Sequence, residues 1–510
     1  MAILVLTASL TAMVAQAQAA AEIPSGGTLR VATIGEPPNL DIQMVPSDLV
    51  SMIAQHIFEQ LFAFDAKYEI RPMLAESYQI SPDGRTYTIQ LRRGVRFHNG
   101  KEMTSEDVVA SLSRWGRVAS RGRIAFQYID RVEAQGPYTV VLHLRQPFAP
   151  LLAFLAFQNT AAAIYPKSVV ERFGDQPISE YVGTGPYRFE EWRRDYRIRL
   201  VRFEQYAARS DEPSGFAGSK VGYLDAIEFY PVPEAGSRLA GILTGDYDYA
   251  IQITKESYPE VQRNPNVKAF TIQPGQWGWV IFNKKQGLMA NQTLRQAAQA
   301  ALDMQPILAA AYGLPTFYRL EPSYYPPGTP WYSKAGAHYY NQKNRALARE
   351  LMGRAGYRGE PIRLIATTEY DYIYKIATVV AAQWQQAGFN VDLQIYDWAT
   401  LLDRRSKPDA YDAFVTGHAF VPDPSLITIF GSEYPGWWDS PEKNRLLQAF
   451  NSEMDHARRL ELWNQLQELI YEEVPAIRVG EEVLFDIGTA RLVNMWASPW
   501  PNFWNVGLQR

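Results

Sequence analysis

The chain has 510 residues, with 50 Lys and Arg against 54 Asp and Glu and a net charge of −4; its basic residues are scattered without long blocks, so it carries no electrostatic footprint for nucleic acid. Hydrophobic residues make up 47% and are spread evenly, enough to bury sizeable cores, and the length suggests two or three domains at ~100 to 200 residues each. Cysteine is absent, which excludes disulfides, a thiol nucleophile, thiolate metal ligands and a lipid-modified N-terminal cysteine.

Residues 1–19 contain no charged side chain, and the apolar run Ile3 to Leu6 gives way to small residues ending in Ala17-Gln18-Ala19. That pattern reads as an h-region followed by an Ala-x-Ala cleavage site, so residues 1–19 are expected to be a signal peptide with the mature chain starting near Ala20. Lys and Arg are missing ahead of the run, a departure from the usual n-region. A membrane anchor is the weaker reading, because Thr7, Ser9, Thr11, Gln16 and Gln18 dilute the stretch below the ~20 apolar residues a spanning helix needs.

Beyond this segment the elements read as mixed α/β. Thr28 to Ile34 alternates like a strand, and Ser47 opens an amphipathic helix in which Val50, Ile53, Ile57 and Leu61 recur at three and four. The Ser81-Pro82-Asp83-Gly84 turn precedes a strand bearing Tyr87, Ile89 and Leu91. Thr104 to Asp107 is a capping pattern ahead of Val108, Leu112 and Trp115, and Tyr138 to Leu144 is another strand. In Val182-Gly183-Thr184-Gly185-Pro186-Tyr187 the glycines and proline predict a tight backbone crossing in preference to a ligand contact. Strands at Ile198 to Phe203 and Leu224 to Pro231 follow.

After Gly245-Asp246-Tyr247-Asp248 and a strand at Tyr249 to Ile253, the pattern restarts near residue 270. Trp277 to Asn283 reads as a strand and Thr293 to Ala301 as a helix. Helix 345–355, strand 362–367, helix 373–387 and strands 391–396 and 412–416 then alternate as units of a largely parallel sheet. A long helix at 458–472 and strands at 483–487 and 492–496 close the chain.

No segment carries a recognisable catalytic pattern: His-Glu-x-x-His, Gly-x-Ser-x-Gly and Gly-x-Gly-x-x-Gly are all missing. Gly94 to Lys101 resembles a phosphate loop only superficially, with five residues between its glycines and Glu102 where a hydroxyl is required; it reads as a hairpin end. The six histidines never fall at metal-ligand spacing, so no metal or cofactor is expected. Glu472-Glu473 and Glu481-Glu482 read as solvated surface, although a two-carboxylate hydrolase needs no local motif and stays open on these grounds. The aromatic content, 13 Trp, 30 Tyr and 23 Phe, is the remaining signal: beyond core duty, such rings wall a site for organic ligands with little rotamer entropy to lose.

Four segments in fixed order carry a resemblance: Gly-Gly-Thr-Leu-Arg-Val at 26–31, Glu-Pro-Pro-Asn-Leu-Asp at 36–41, Ser-Pro-Asp-Gly-Arg-Thr-Tyr at 81–87, and Val-Arg-Phe-His-Asn-Gly-Lys-Glu-Met-Thr-Ser-Glu-Asp-Val at 95–108. Together with Gly183-Thr184-Gly185-Pro186-Tyr187, and with Phe282, Asn283, Arg295, Gln296, Ala297 and Asp303, they resemble the family 5 extracellular solute-binding proteins of ABC importers, the group of dipeptide, oligopeptide, nickel and opine-type binders. The resemblance implies an α/β, two-lobed clamshell: lobe I from residues 20–268 and 480–510 with a peripheral subdomain over about 48–180, lobe II from 269–479, and two crossings near Ala269 and Arg478 that make a hinge. It implies a monomeric periplasmic receptor, not an enzyme, that captures a peptide or small organic solute and delivers it to ABC permease transmembrane subunits; the missing N-terminal cysteine points to a freely diffusing Gram-negative protein.

Within that frame Trp277, Trp279, Tyr370 and Trp398, along with Tyr372, Tyr374, Trp437 and Trp438, are expected at the cleft. Peptide binders of the family hold the ligand's ammonium with an aspartate just after the strand matching 412–416. Here His418 occupies that position and Asp423 follows five residues later. His418 and Asp423 therefore join the candidate site, and an opine-like or sugar-conjugate solute stands beside a peptide as the alternative ligand.

Overall fold

The structure is a computed structural model that describes residues 23–509; the expected signal segment lies outside the described residues. Its fold is the mixed α/β, two-lobed arrangement the sequence implies, organised by one eleven-stranded sheet. Thr28–Thr33 runs parallel to Ala226–Pro231 on one side and Tyr249–Ala250 on the other, burying Leu29 and Val31 against Ile53, Ile57, Ile227 and Phe229. At the opposite end, Ile362–Thr367 pairs in parallel with Val391–Tyr396 and Ala413–Ala419. Helices Gln292–Ala300, Met304–Tyr312 and Asp371–Ala387 share a core with that end, built from Leu294, Leu308, Ile376, Trp384, Leu364 and Val415.

Two strands longer than the sequence suggests join these ends. Val267–Phe282 and Ala476–Thr489 are antiparallel partners from Val267 opposite Thr489 to Ile281 opposite Ala476. The sequence pattern shows only their fragments, because Pro274 and Gly275 break the alternation. The ladder breaks at the same place, between Ile272 and Gln276, where Pro274 has no N–H to donate and a side chain on Gly275 would meet the Glu482 carbonyl oxygen at 2.3 Å. On one side of the break Ala476–Thr489 pairs with Tyr249–Ala250; on the other, Val267–Phe282 pairs with Ala413–Ala419.

Asp486 sits on the first of these sides, buried, accepting from the Gln252 amide at 2.8 Å and from the Tyr249 hydroxyl at 2.8 Å. Burial raises its carboxyl from the model-compound 3.8 to about 6 despite those bonds.

A four-stranded antiparallel sheet, Ala75–Ile80, Thr86–Leu91, Thr139–Leu144 and Ile129–Ala134, stands to the side with helix Ser105–Val118 across it. That helix starts where the capping pattern predicts, with the Asp107 carboxylate accepting the Thr104 amide at 2.9 Å. It is tied to the first lobe by a fully buried pair, Arg114 to Asp41 at 2.6 Å, in which Asp41 also accepts from the Tyr165 hydroxyl and the Ile178 amide. The aspartate closing the 36–41 segment is thus a structural anchor.

The helix opened by Ser47 is shorter than its apolar period implies: it spans Asp48–Ala54, because His56 turns inward. His56 is buried, held neutral with its pKa lowered to about 3, and accepts the Phe503 amide at 2.9 Å, so the chain's last segment docks beside the helix Asp48–Ala54. Gly183 and Gly185 do make a close crossing: a side chain on either would meet the Ile57 or His56 carbonyl oxygen at 2.0 and 2.3 Å.

Two outcomes follow. Gly185→Ala should cost about 1–3 kcal/mol in urea unfolding, since backbone atoms cannot yield, whereas Gly236→Ala, in helix Ala235–Thr244 with nothing within 4 Å, should be neutral or slightly stabilising. For Asp486, the folded state keeps a proton that the unfolded chain has released between pH 4 and pH 6, so its contribution to stability falls as pH rises through that window and amounts to a penalty of about 3 kcal/mol above it. Asp486→Asn should match the parent near pH 4 and exceed its unfolding free energy progressively up to pH 7.

Candidate ligand-binding site

The break in the long strands leaves an opening at the carboxyl ends of the neighbouring parallel strands. Ala413–Ala419 pairs with Ile362–Thr367 only at Leu364–Ala413 and Ile365–Phe414, while its other edge stays paired with Val267–Phe282 out to Ala419. Beyond Phe414 this edge has no further ladder partner: Val415 and Thr416 stay buried and Gly417 to Ala419 become partly exposed, at the kind of crevice where open α/β sheets bind ligands. Glu369 to Tyr372 and Trp398 overlook it, the Trp398 amide donating to Glu369 at 3.0 Å and its ring meeting Tyr370 edge-on at 4.9 Å.

A cavity of about 560 Å³ lies here between the two ends of the sheet, with Ile34 and Gln252 to Glu256 on one side and Tyr312 and Tyr370 to Lys375 on the other. Its floor is the crossing itself. Glu482 accepts from both Lys255 and Gln276, and the Lys255 ammonium also lies 4.6 Å from the centre of the Tyr312 ring. Lys255 thus reaches from the segment after Tyr249–Ala250 onto a carboxylate of the crossing strand.

On the opposite face of the crossing strands stands an aromatic cluster. Trp277 and Trp279 alternate onto one face of their strand, edge to face at 6.1 Å, and pack against Tyr324, Tyr325 and Phe420. Gly278, between them, faces the other way into Ile376, Val479 and the Tyr312 hydroxyl. Among the described residues this wall holds a group of buried polar atoms without protein partners: the indole N–H of Trp277 and Trp279, the Tyr325 hydroxyl, Nε and Nη1 of Arg478, and Glu481 Oε1. Left unpaired, each such group costs about 1–3 kcal/mol, which sets this cluster apart from the fully bonded polar groups of the core.

Arg405 supplies the site's uncommitted charge. It stands on helix Trp398–Arg405, its guanidinium 5.8 Å from the Trp398 ring, 5.6 Å from Phe414 and 5.9 Å from Tyr434, and among the described residues it has no carboxylate within salt-bridge distance. The Tyr434 hydroxyl in turn lies 2.8 Å from His418 Nε2. Burial and the neighbouring Arg405 lower the His418 pKa to about 4, so the ring is a neutral hydrogen-bonding group at physiological pH, and the positive charge beside it comes from the arginine.

Five of the six residues picked from sequence therefore form a connected series: Tyr370 on Trp398, Trp398 under Arg405, Arg405 over Tyr434, Tyr434 on His418, and His418 6.1 Å from Trp279, which touches Trp277. Trp277 and Trp279 are fully buried beneath the wall, and Tyr370 is exposed at its rim. Asp423 stands apart. Its Oδ1 caps the turn Pro424–Leu426, accepting from the Ser425 amide and hydroxyl, and its Oδ2 faces Arg459 at 3.7 Å.

The reading of the glutamate pairs as solvated surface is corrected: Glu481 and Glu482 are buried at the crossing, and Glu473 accepts from Trp438 Nε1 and the Ser440 hydroxyl. Alternation on an edge-free central strand, rather than charge, was the signal for the first pair. Arg405 was passed over because Asp403-Arg404-Arg405 reads as a solvent-facing helix end.

The sequence profile of the bacterial extracellular solute-binding proteins, family 5 Middle, matches residues 69–436. A probable peptide ABC transporter periplasmic-binding protein, y4tO of Sinorhizobium fredii, is 26% identical over 478 residues, 88% of each chain. The glutathione-binding protein GsiB of Escherichia coli K12 is 25% identical over 473 residues, again 88% of each. Among solved structures, the PBP AgaA of A. tumefaciens R10, in complex with agropinic acid, superposes with a TM-score of 0.76 at 24% identity, covering 95% of this chain and 99% of its own.

The lowered pKa of His418 has a direct readout: in heteronuclear NMR its ring should stay neutral from pH 8 down to pH 5 and titrate with a midpoint near 4.

Proposed function

Because the chain belongs to the bacterial extracellular solute-binding proteins of family 5, we propose that it is the solute-capturing component of an ABC importer, working in the periplasm as a monomer and handing its guest to the transmembrane permease subunits. The lobes are residues 20–268 with 480–510, carrying the peripheral subdomain, and 269–479. They close about the two long strands, and closure is driven by a guest that touches both sides better than it touches one. No step alters the guest: the site has wall, floor and a charge, and the receptor's role ends at release.

The guest is a peptide or peptide-like organic solute that presents a carboxylate. The observation that carries this reading is Arg405, a cation without a carboxylate partner among the described residues, held by three aromatic rings beside the unpaired edge of Ala413–Ala419. A bidentate guanidinium–carboxylate contact is among the stronger hydrogen-bonded pairs, and the unpaired strand edge would receive an extended backbone. Neutral His418 supplies no charge that could hold a free ammonium, which favours an acidic guest over an ordinary peptide bound by its amino end. The opine-like alternative rests on the same observation, since agropinic acid is the ligand named for AgaA and glutathione for GsiB.

The test is a melting-temperature screen with short peptides, glutathione and opine-like acids, alongside mass spectrometry of any solute that co-purifies. A true guest at a hundredfold excess over its Kd adds about 2.7 kcal/mol and raises the transition by a few degrees. Arg405→Gln should then weaken that guest at least about tenfold while leaving the free protein's melting unchanged. A flat screen with no co-purifying solute would remove the receptor reading, and turnover of any panel compound would replace it with the hydrolase.

A further inference from the structure

A second cavity, of about 580 Å³, lies between the peripheral hairpin formed by Phe62–Phe64 and Ile70–Pro72 and the 328–331 loop of the other lobe. It is separated from the Trp277 wall by a single ring pair, Tyr68 against Phe420 at 5.0 Å, and Phe420 is itself 5.6 Å from Trp277. Tyr68 is held at the hairpin's turn with φ +63, a left-handed conformation that bulky residues rarely adopt. The Asp65 carboxylate fixes that turn by accepting the Lys67 and Glu69 amides at 2.8 and 2.9 Å. That turn sets the Tyr68 ring against Phe420.

The floor of this cavity is polar in a particular way. Arg459 is 7% exposed, its guanidinium packed between Trp331 at 4.8 Å and Phe450 at 4.3 Å, and its Nε donates to the Phe450 carbonyl at 3.2 Å. Its Nη2, however, is buried without a hydrogen-bond partner, 3.7 Å from Asp423 Oδ2. Arg459 and Asp423 thus present one donor and one acceptor side by side with opposite charges; of the other titratable groups on the lining, Glu69 is paired with Arg71 and the His456 ring lies 4.9 Å from Trp331. A carboxylate drawn to Arg459 would meet Asp423, and an ammonium the reverse. A neutral amide or hydroxyl pair would satisfy both.

We propose that this cavity is a second compartment of the cleft, gated by Tyr68 and Phe420, that takes an uncharged hydrogen-bonding group with an apolar face, such as an amide-bearing aromatic residue at the far end of an elongated solute. The inference deepens the solute-receptor reading and rests on it for its biological role, but its ligand chemistry is testable alone. The volume falls in the range of small-molecule sites, ~300–1,000 Å³, and Trp331, Phe64 and Tyr68 supply the apolar faces.

The probe is N-acetyl-tyrosinamide, neutral and amide-bearing, compared with N-acetyl-tyrosine, its carboxylate analogue, by NMR titration of the full chain up to about 10 mM. The amide should bind several-fold more tightly than the acid. Ile70→Trp, which fills the cavity from the hairpin, should weaken the amide at least about tenfold, and Thr329→Trp, from the opposite loop, should do the same if the first variant fails to fold. Arg405→Gln should leave it unchanged. No binding of the amide, or loss in Arg405→Gln with retention in both tryptophan variants, would overturn the second compartment while leaving the receptor reading intact. Amide binding with a flat solute screen would do the reverse.

Discussion

The architecture depends on one pairing: two antiparallel strands, Val267–Phe282 and Ala476–Thr489, that pass through both lobes and hand the sheet from one set of neighbours to another. Continuity of the ladder keeps the ends in register, and its longest interruption, at Pro274 and Gly275, is followed by a second register shift between Gly278 and Trp279, so the irregular pairing is concentrated between Ile272 and Trp279. The cavity floor, the Lys255 and Glu482 contact, and the aromatic wall of Trp277 and Trp279 all lie at or beside that interruption. The site is where it is because the pairing fails there.

Charge in the site is sorted by use. Glu482 is committed to Lys255 and Gln276, and Asp423 Oδ1 to its own turn, both buried. Arg405 is the cation held by rings rather than by a carboxylate, and a ring-held guanidinium keeps its hydrogen bonds available. This division explains how a chain of almost balanced composition can present a definite electrostatic preference at one place.

Much of the fold was legible because it rests on periodicity. Strands Ile362–Thr367 and Val391–Tyr396 fall where alternation places them, and Thr104 caps its helix through Asp107 as the local pattern dictates. What was hidden depends on contacts distant in sequence. The helix after Ser47 stops at Ala54 because His56 is needed by Phe503, and no local rule reports a partner more than four hundred residues away. Glu481 looks like surface until its strand is seen to have neighbours on both edges. For the candidate site, aromatic content within the two-lobed frame pointed to Tyr370 and Trp398 and the family resemblance to His418, whereas Arg405 and Tyr68 stand out only through the rings they meet, which composition cannot show.

The unbroken strands also set what kind of movement the molecule has. Sliding one half along the other would require every rung on both sides of Pro274 to let go together, whereas tilting about that point asks for none. Lys255 and Ala419 stand on opposite sides of that point, so tilting there alters the gap between them while the rungs to either side keep their register. A variant that lengthens both strands by a pair of residues would shift the pivot away from the Lys255 and Glu482 contact without replacing either residue.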